Sequence, residues 1–249
     1  MISETAVQLF NRLCDKPNLS NLDGKIFYKQ KDDIFFAEFA GNESCGKTEL
    51  MLNLIVNTIM PKEWNNLCIK GMNYTAIVID LAYKFPAIRL ITLLENRIKL
   101  FTESNNCELD IDSFVKDCLS RFYKFVCNST SDFINVLSYI PQFVNENPGV
   151  CLVAIDNIEV FYWIDKVKGS RSNFAIEKLL RVLVFELKIN VIICRTILFE
   201  EKNEYKKSFD IPKYSLNLAL KSNNLFVCSS KNYSQITTFT IDRNGVKYL

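Results

Sequence analysis

Apolar residues recur along this chain with two different periods, and the periods predict its elements. Mainly apolar runs of four to seven residues have the length and composition of strands that are buried on both faces of a sheet. They lie at residues 34–40, 76–80, 122–126, 150–156 and 191–194. Between them, apolar residues return every three or four positions, which is the spacing of amphipathic helices. These segments lie at 49–60, 86–101, 111–119, 132–145 and 172–187. The alternation predicts an α/β fold in which helices flank a mainly parallel, twisted sheet.

The two ends of the chain differ from this central pattern. In the last part, about 214–249, the apolar period changes to two, and Asn244-Gly245 is the turn signal of a β-hairpin. This part is predicted to be an antiparallel strand extension of the core. Residues 1–24 hold one amphipathic helix and a polar stretch, which is too short for a separate domain. We therefore predict an N-terminal helical arm, followed by a single core domain over 25–249.

Composition narrows the classes of function. Apolar residues make up 49% of the 249 residues, which is enough for a sizeable core. The net charge of +2 argues neither for nor against nucleic acid as a partner. Because the chain has no histidine, the usual zinc sites and histidine-based acid–base catalysis are not expected. No apolar run approaches the ~18 residues that a membrane-spanning helix needs, so no membrane partner is expected.

The nine cysteines are scattered and include no Cys-x-x-Cys pair. Those in or near apolar runs are predicted to be small core residues. They are Cys68, Cys127, Cys151, Cys194 and Cys228. Such usage is typical of a reducing compartment.

One stretch, at 39–60, carries recognisable chemistry. It reads as the end of a strand, a glycine-containing turn and an apolar helix, and the turn has the phosphate-binding pattern Gly-x-x-x-x-Gly-Lys-Thr. The two glycines let a phosphate approach the main chain, whose N–H groups point at it from the start of the helix. Lys47 would reach the β- and γ-phosphates, and the Thr48 hydroxyl would ligate Mg²⁺. The pattern predicts a site for ATP and Mg²⁺. Its candidate residues are Gly41, Asn42, Glu43, Ser44, Cys45, Gly46, Lys47, Thr48 and Glu49.

Carboxylates end two of the predicted strands. Asp156 ends the strand at 150–156, about a hundred residues after the phosphate loop. In P-loop proteins, an aspartate at this place holds the Mg²⁺ shell, so Asp156 joins Thr48 as a metal candidate. Asp80 has two open interpretations: a second carboxylate of the Mg²⁺ shell, or the polar end of a buried strand. For Arg89 and Arg97, on one predicted helix, a solvated face is favoured over a partner contact.

Three blocks of sequence resemble the RecA-like recombinase paralogues. They are Gly-Asn-Glu-Ser-Cys-Gly-Lys-Thr-Glu at 41–49, Arg-Leu-Ile-Thr-Leu-Leu-Glu-Asn-Arg at 89–97 and Phe-Tyr-Trp-Ile-Asp-Lys-Val-Lys-Gly at 161–169, and the ending at 239–248 is similar as well. The resemblance implies a RecA-like P-loop NTPase core that acts in homologous-recombination repair of DNA breaks. It also implies a nuclear location and a complex with other recombinase paralogues, above all the delta-type one, that assists recombinase loading on single-stranded DNA.

The chain departs from this family at two hydrolytic positions. Active recombinases carry a glutamate where this chain has Ala82, and a γ-phosphate-sensing glutamine where it has Arg195-Thr196. Because the loss of a positioned base costs about 10²–10⁴ in rate, we expect nucleotide binding with slow or no hydrolysis. Glu43 or a partner's residue could instead supply the base. An independently active P-loop ATPase or small-molecule kinase is the alternative, and a structural protein with a vestigial P-loop is a third interpretation.

The family resemblance also places two DNA-contacting loops. Lys166, Lys168 and Arg171 fall in the first loop, and residues 202–213, of mixed charge, fall in the second. Lysine and arginine on a loop suit phosphate contacts, although basic residues are common on any surface. Two neighbouring aromatic residues could stack on bases, but an internal or interface role is favoured. They are Tyr162 and Trp163. Single-stranded or branched DNA is expected as a partner through the complex.

Overall fold

The computed structural model describes residues 16–27, 34–81, 83–105, 110–161, 164, 167, 172–197, 209–230 and 236–249. The helices are α1 (Leu19–Leu22), α2 (Lys47–Ile59), α3 (Ala87–Asn105), α4 (Ile111–Leu119), α5 (Thr130–Glu146) and α6 (Ser172–Arg181), which a π-helical turn continues over Val182–Glu186. The strands are β1 (Phe36–Gly41), β2 (Glu63–Trp64), β3 (Leu67–Cys68), β4 (Thr75–Asp80), β5 (Phe122–Val126), β6 (Val150–Asp156), β7 (Asn190–Thr196), β8 (Tyr214–Ser222), β9 (Leu225–Ser230), β10 (Ile236–Asp242) and β11 (Gly245–Tyr248). Within the described residues, every helix is too short or too polar to span a bilayer. The helix predicted near the N-terminus lies outside them.

A nine-stranded sheet in the order β11-β10-β9-β8-β1-β7-β6-β4-β5 organises the described chain. The five pairs from β8 to β5 are parallel, and the three pairs from β8 to β11 are antiparallel. The predicted mainly parallel sheet is confirmed. The C-terminal extension differs in one respect: β8 pairs in parallel with β1, so the antiparallel part begins with β9. The reason is that a long connection, and not a hairpin, precedes β8.

Helices cover both faces of this sheet. On one face, α2, α3 and α4 close a core that includes Phe39, Leu54 and Leu94; on the other, α5 and α6 close a core that includes Phe133 and Leu180. Because successive residues of a strand point to opposite faces, the central strands need apolar residues at most positions. This is why their sequences are mainly apolar and do not alternate with polar residues.

Residues 16–27 pack as part of the first core. Leu19 is fully buried. The Asp23 carboxylate accepts hydrogen bonds from the Asn53 amide, at 3.3 Å, and from the Tyr248 hydroxyl. Burial raises the pKa of Asp23. Asp23 therefore ties the segment that precedes β1 directly to both the last strand and α2, and packing is continuous across the predicted arm boundary.

The interpretation of Arg89 and Arg97 as a solvated face is wrong. Both side chains cross from α3 to α2: Arg97 Nη2 donates to Asn53 Oδ1 at 2.8 Å, and Arg89 Nε donates to Glu49 Oε1 at 3.0 Å. Burial lowers the pKa of Arg97. The helical period predicted α3 correctly, but only the packing of α3 on α2 gives these arginines their acceptors.

One of the predicted core cysteines is exposed. Cys68 lies in β3, which pairs with β2 in a separate two-stranded hairpin. Asn65 and Asn66 close this hairpin with φ values of 47° and 65°, as a primed turn requires. Since the hairpin stands apart from the main sheet, its apolar residues do not all reach the core. The other four of the set, Cys127, Cys151, Cys194 and Cys228, are buried as predicted.

Candidate nucleotide site

The phosphate loop connects β1 to α2 at the carboxyl edge of the sheet. Gly41 is the last residue of β1, and Gly46 caps α2 with φ 89° and no side-chain hydrogen bond. By contrast, α4 and α5 begin at side-chain caps, from Asp110 and Ser129. A helix leaves its first N–H groups without partners in the helix itself, and at α2 a side-chain cap does not take them up. The local sequence therefore leaves these donors facing the loop, as an anion site requires.

Lys47 turns back into the loop. Its Nζ donates to the carbonyl of Gly41 at 2.8 Å and to the carbonyl of Asn42 at 2.6 Å, and it lies 3.6 Å from Cys45 Sγ. The side chain is buried, so the loop holds a cation at its centre. Of the other loop residues, Asn42, Glu43 and Ser44 are exposed, whereas Thr48 and Glu49 are half-buried.

Both glycines of the pattern are required by their surroundings. A Cβ on Gly41 would come within 2.4 Å of the Leu218 carbonyl oxygen and 2.5 Å of Cys45 Sγ. A Cβ on Gly46 would meet the Phe226 ring at 3.2 Å, in a backbone conformation that other residues rarely adopt. The loop is thus a close-fitted main-chain cradle around a buried ammonium group, and these residues fit a bound triphosphate.

Asp156 lies at the same carboxyl edge of the sheet as the phosphate loop. It ends β6 opposite Asp80 of β4, and its carboxylate lies within electrostatic reach of the Lys47 ammonium group. Burial, followed by the charge of Asp80, raises the pKa of Asp156, while Lys47 opposes this shift. The structure therefore brings the two predicted nucleotide motifs together around Lys47. Burial and the charge of Asp80 disfavour the ionised form of this carboxylate, and a bound divalent cation would stabilise that form.

Asp80 is committed to local structure. Its two carboxylate oxygens accept the N–H groups of Lys84, at 3.1 Å, and Phe85, at 3.3 Å, and Lys124 Nζ lies 3.7 Å away. Its side chain is 2% exposed. Of the two interpretations, the structure favours the polar end of a buried strand, which orders the turn into α3. Its charge acts on the metal candidate from one strand away.

Glu49 differs from the other predicted nucleotide-binding residues. Arg89 holds its carboxylate through two hydrogen bonds, of 3.0 and 3.1 Å. The side chain therefore braces the first turn of α2 against α3, and only the Glu49 main-chain N–H remains suited to a phosphate.

Several predicted positions lie outside the described residues. They are Ala82, Tyr162, Trp163, Lys166, Lys168, Arg171 and the segment 202–208. Thr196 is described: it is the last residue of β7, and its Cα is paired with that of Gly41. The residue at the glutamine position thus adjoins the phosphate loop.

Sequence reasoning missed a cluster of four charged residues beside the loop. Glu38, inside β1, lies 2.9 Å from Arg195 Nη1 and 2.6 Å from Lys213 Nζ, and Arg195 Nε lies 3.0 Å from Glu159 Oε1. One signal was present, since a glutamate inside an apolar strand needs a buried partner. The sequence could not say which cations supply it.

With this geometry, the chain can be compared with known proteins. No family model matches it. DNA repair protein XRCC2 of Mus musculus is 30% identical over 174 residues, which are 68% of this chain and 57% of that protein. The DNA repair protein XRCC2 homolog of Arabidopsis thaliana is 20% identical over 223 residues, 76% of this chain and 59% of its own length. The chain is homologous to XRCC2.

A third relative widens the comparison. DNA repair protein RAD51 homolog 3 of Cricetulus griseus is 27% identical over 128 residues, 49% of this chain and 34% of that protein. The predicted resemblance to the recombinase paralogues is confirmed, and with it the RecA-like fold that the sheet order indicates. The chain spans about three fifths of the length of the XRCC2 proteins that it matches.

Replacement of Asp156 by asparagine is expected to stabilise the nucleotide-free protein at neutral pH. Because burial and Asp80 raise the pKa of Asp156 in the folded state, folding favours its protonated form. That contribution is complete below the unfolded pKa and is lost as the pH rises through the folded one. The ionised group therefore costs stability at pH 7. Denaturant titration should give Asp156→Asn a gain of about 1 kcal/mol.

The pH dependence of this gain is the control. The difference between Asp156→Asn and the parent should shrink as the pH falls through the raised pKa of Asp156, because the parent's carboxylate then also becomes neutral. A gain that stays constant with pH, or a loss at pH 7, would contradict the electrostatic explanation.

Proposed function

We propose that this chain binds ATP and Mg²⁺ through residues 41–49 and Asp156. One observation carries the proposal: the buried Lys47 ammonium group lies within the glycine cradle and interacts with the Asp156 carboxylate. Bound Mg²⁺ would neutralise phosphate charge, and the Thr48 hydroxyl and Asp156 would hold it. Lys47 would exchange its loop carbonyls for the β- and γ-phosphates.

Hydrolysis is proposed to be weak or absent. Catalysis needs a carboxylate that is free to orient water. Among the described residues, Glu38 and Glu159 are both paired with Arg195, and Asp80 is bonded to main-chain N–H groups. Arg195 is held by these two glutamates, so it is poorly placed to sense a γ-phosphate. The exposed Glu43 is the remaining candidate of the loop itself.

The relatives' names support a role in DNA repair, which we propose is repair of double-strand breaks by homologous recombination. The chain would act in the nucleus as an ATP-binding subunit, in a complex with other recombinase paralogues, especially the delta-type one. The complex would assist recombinase loading on single-stranded or branched DNA. Lys166, Lys168 and Arg171 are the proposed DNA contacts of this subunit.

The test is ATP binding and turnover by the purified chain, alone and with the delta-type paralogue. Lys47→Ala should weaken ATP binding by about 100-fold, because it removes charge-assisted contacts worth about 3 kcal/mol. Lys116→Ala, on the exposed side of α4, is the matched control and should bind like the parent.

The outcomes separate the three interpretations. Binding that depends on Lys47, with negligible turnover in both settings, would support a scaffold subunit. Turnover near 10 s⁻¹, roughly the median for enzymes, would favour an independent ATPase or kinase. A parent chain without measurable ATP binding would leave a vestigial P-loop.

A further inference from the structure

The cluster of Glu38, Arg195, Glu159 and Lys213 occupies the centre of the sheet. Glu38 is inside β1, Arg195 is next to the end of β7, Glu159 follows β6, and Lys213 precedes β8. The side chains are 7%, 14%, 27% and 10% exposed, respectively. Because β1 lies between β7 and β8, Glu38 receives one cation from each side, and Arg195 passes the contact on to Glu159.

Stability alone is a poor explanation for this cluster. Two acids and two bases balance in charge, but their desolvation offsets much of the attraction, and well-packed apolar residues often replace buried ion pairs without loss. What such a cluster supplies is a fixed relative position of its members. Here it fixes segment 157–161 and segment 209–213 to the end of β7.

Main-chain hydrogen bonds link the same place to the phosphate loop. The Gly41 carbonyl accepts both from Lys47 Nζ, at 2.8 Å, and from the N–H of Ile197, at 3.1 Å. The N–H of Ile158, beside Glu159, donates to the Cys194 carbonyl at 3.1 Å. A main-chain hydrogen bond therefore joins the proposed phosphate-binding loop to the residue that follows β7. A second one joins β7 to the segment that follows β6.

We propose that Arg195 is a positioning residue that couples the phosphate loop to segments 157–161 and 209–213. The inference rests on the proposed nucleotide binding. When Lys47 moves to a phosphate, the Gly41 carbonyl keeps Ile197 as its donor, and the end of β7 is drawn onto the loop. Arg195 moves with β7. It displaces Glu159 through their direct ion pair, and it displaces Lys213 through Glu38, with which both cations are paired. Both segments then respond to nucleotide together, although the glutamine position is Thr196.

Hydrogen–deuterium exchange of the full chain, with and without the slowly hydrolysed analogue Mg²⁺–ATPγS, tests the coupling. Nucleotide should slow exchange in peptides that cover 157–161 and 209–213 by about fivefold or more, the lower end of measured couplings between sites. In Arg195→Gln, the affinity for the analogue should stay within about threefold of the parent, since the ion pairs of the Arg195 guanidinium group are with Glu38 and Glu159, outside the phosphate loop. In this variant, nucleotide should no longer slow hydrogen–deuterium exchange in segments 157–161 and 209–213.

Two single-link variants make the test specific. Glu159→Gln should lose the response only in 157–161, and Lys213→Gln only in 209–213. These two variants also test the coupling if Arg195→Gln does not fold. Arg121→Gln is the matched control, because Arg121 is a similarly buried arginine whose Nη2 lies 2.5 Å from Asp117. It should lower stability and leave both responses intact.

The results distinguish the coupling from the nucleotide site. Binding of the analogue with an unchanged response in Arg195→Gln, or a loss of both responses in Arg121→Gln, would overturn the coupling and leave nucleotide binding standing. A parent chain that does not bind the analogue would overturn both proposals.

Discussion

Replacement of Gly41 by alanine is expected to destabilise the protein by about 3 kcal/mol, the upper range for overpacking of a close-fitted site. The added Cβ would lie 2.4 Å from the Leu218 carbonyl oxygen and 2.5 Å from Cys45 Sγ. The first neighbour is backbone of β8, which is paired in parallel with β1. Either β8 or the phosphate loop must therefore move, and a loop that moves loses its fit to phosphate. Denaturant unfolding measures the first effect, and titration with ATP measures the second.

Gly149→Ala is the matched control for this prediction. A Cβ there would meet only Thr75 Oγ1, at 3.5 Å, which is an ordinary contact. Its effect should stay within about 0.5 kcal/mol, with ATP affinity unchanged. If Gly41→Ala were as stable as Gly149→Ala and bound ATP equally well, the close approach of β8 to the loop would be wrong.

Replacement of Arg89 by alanine is expected to cost about 2–3 kcal/mol, below the range for fully buried pairs because about a fifth of each side chain is exposed. The guanidinium group joins three elements. It holds both oxygens of Glu49 and donates to the carbonyls of Asp242, at 2.7 Å, and Arg243, at 3.0 Å. Its loss leaves the carboxylate unpaired and releases the β10–β11 turn from α3. Chemical denaturation should register the loss as a lower midpoint.

The same helix offers a control for Arg89. Lys99 is paired with Glu95 at 3.9 Å, and the side chains are 49% and 39% exposed, so Lys99→Ala should cost less than about 0.5 kcal/mol. The stability cost of Arg89→Lys should fall between those of Arg89→Ala and Lys99→Ala, because an ammonium group keeps the charge of the guanidinium group but not its planar fork of donors. Equal effects of Arg89→Ala and Lys99→Ala would contradict a bracing role.

The fold could be predicted from the sequence because its signals are local. A strand buried on both faces is apolar at most of its positions, and the apolar residues of an amphipathic helix recur every three or four residues, so both kinds of element appear directly in the residue order. The phosphate loop is as local, since its eight residues from Gly41 to Thr48 carry strand end, turn and helix start together. The direction of β8 was not predictable, because the pattern of a strand does not reveal which neighbour it pairs with.

The partners of charged residues could not be predicted either. Arg89 looked like a surface residue, and Glu38 lay unremarked within an apolar run. Each finds its partner far along the chain, Glu49 for Arg89 and Arg195 with Lys213 for Glu38. A one-dimensional pattern shows that a buried charge needs a partner, but the packing of elements chooses it.

By itself, the sequence determined the α/β alternation, the phosphate loop and the carboxylate that ends β6, because each is a short-range consequence of strand, turn and helix chemistry. Only the tertiary structure decided that Asp156 lies within electrostatic reach of Lys47, that Asp80 serves the turn into α3 and that Arg195 is tied to two glutamates. Parallel strands end at one edge of a sheet, so residues more than a hundred positions apart meet there. Which of them remain available to a ligand depends on the contacts that the others already make.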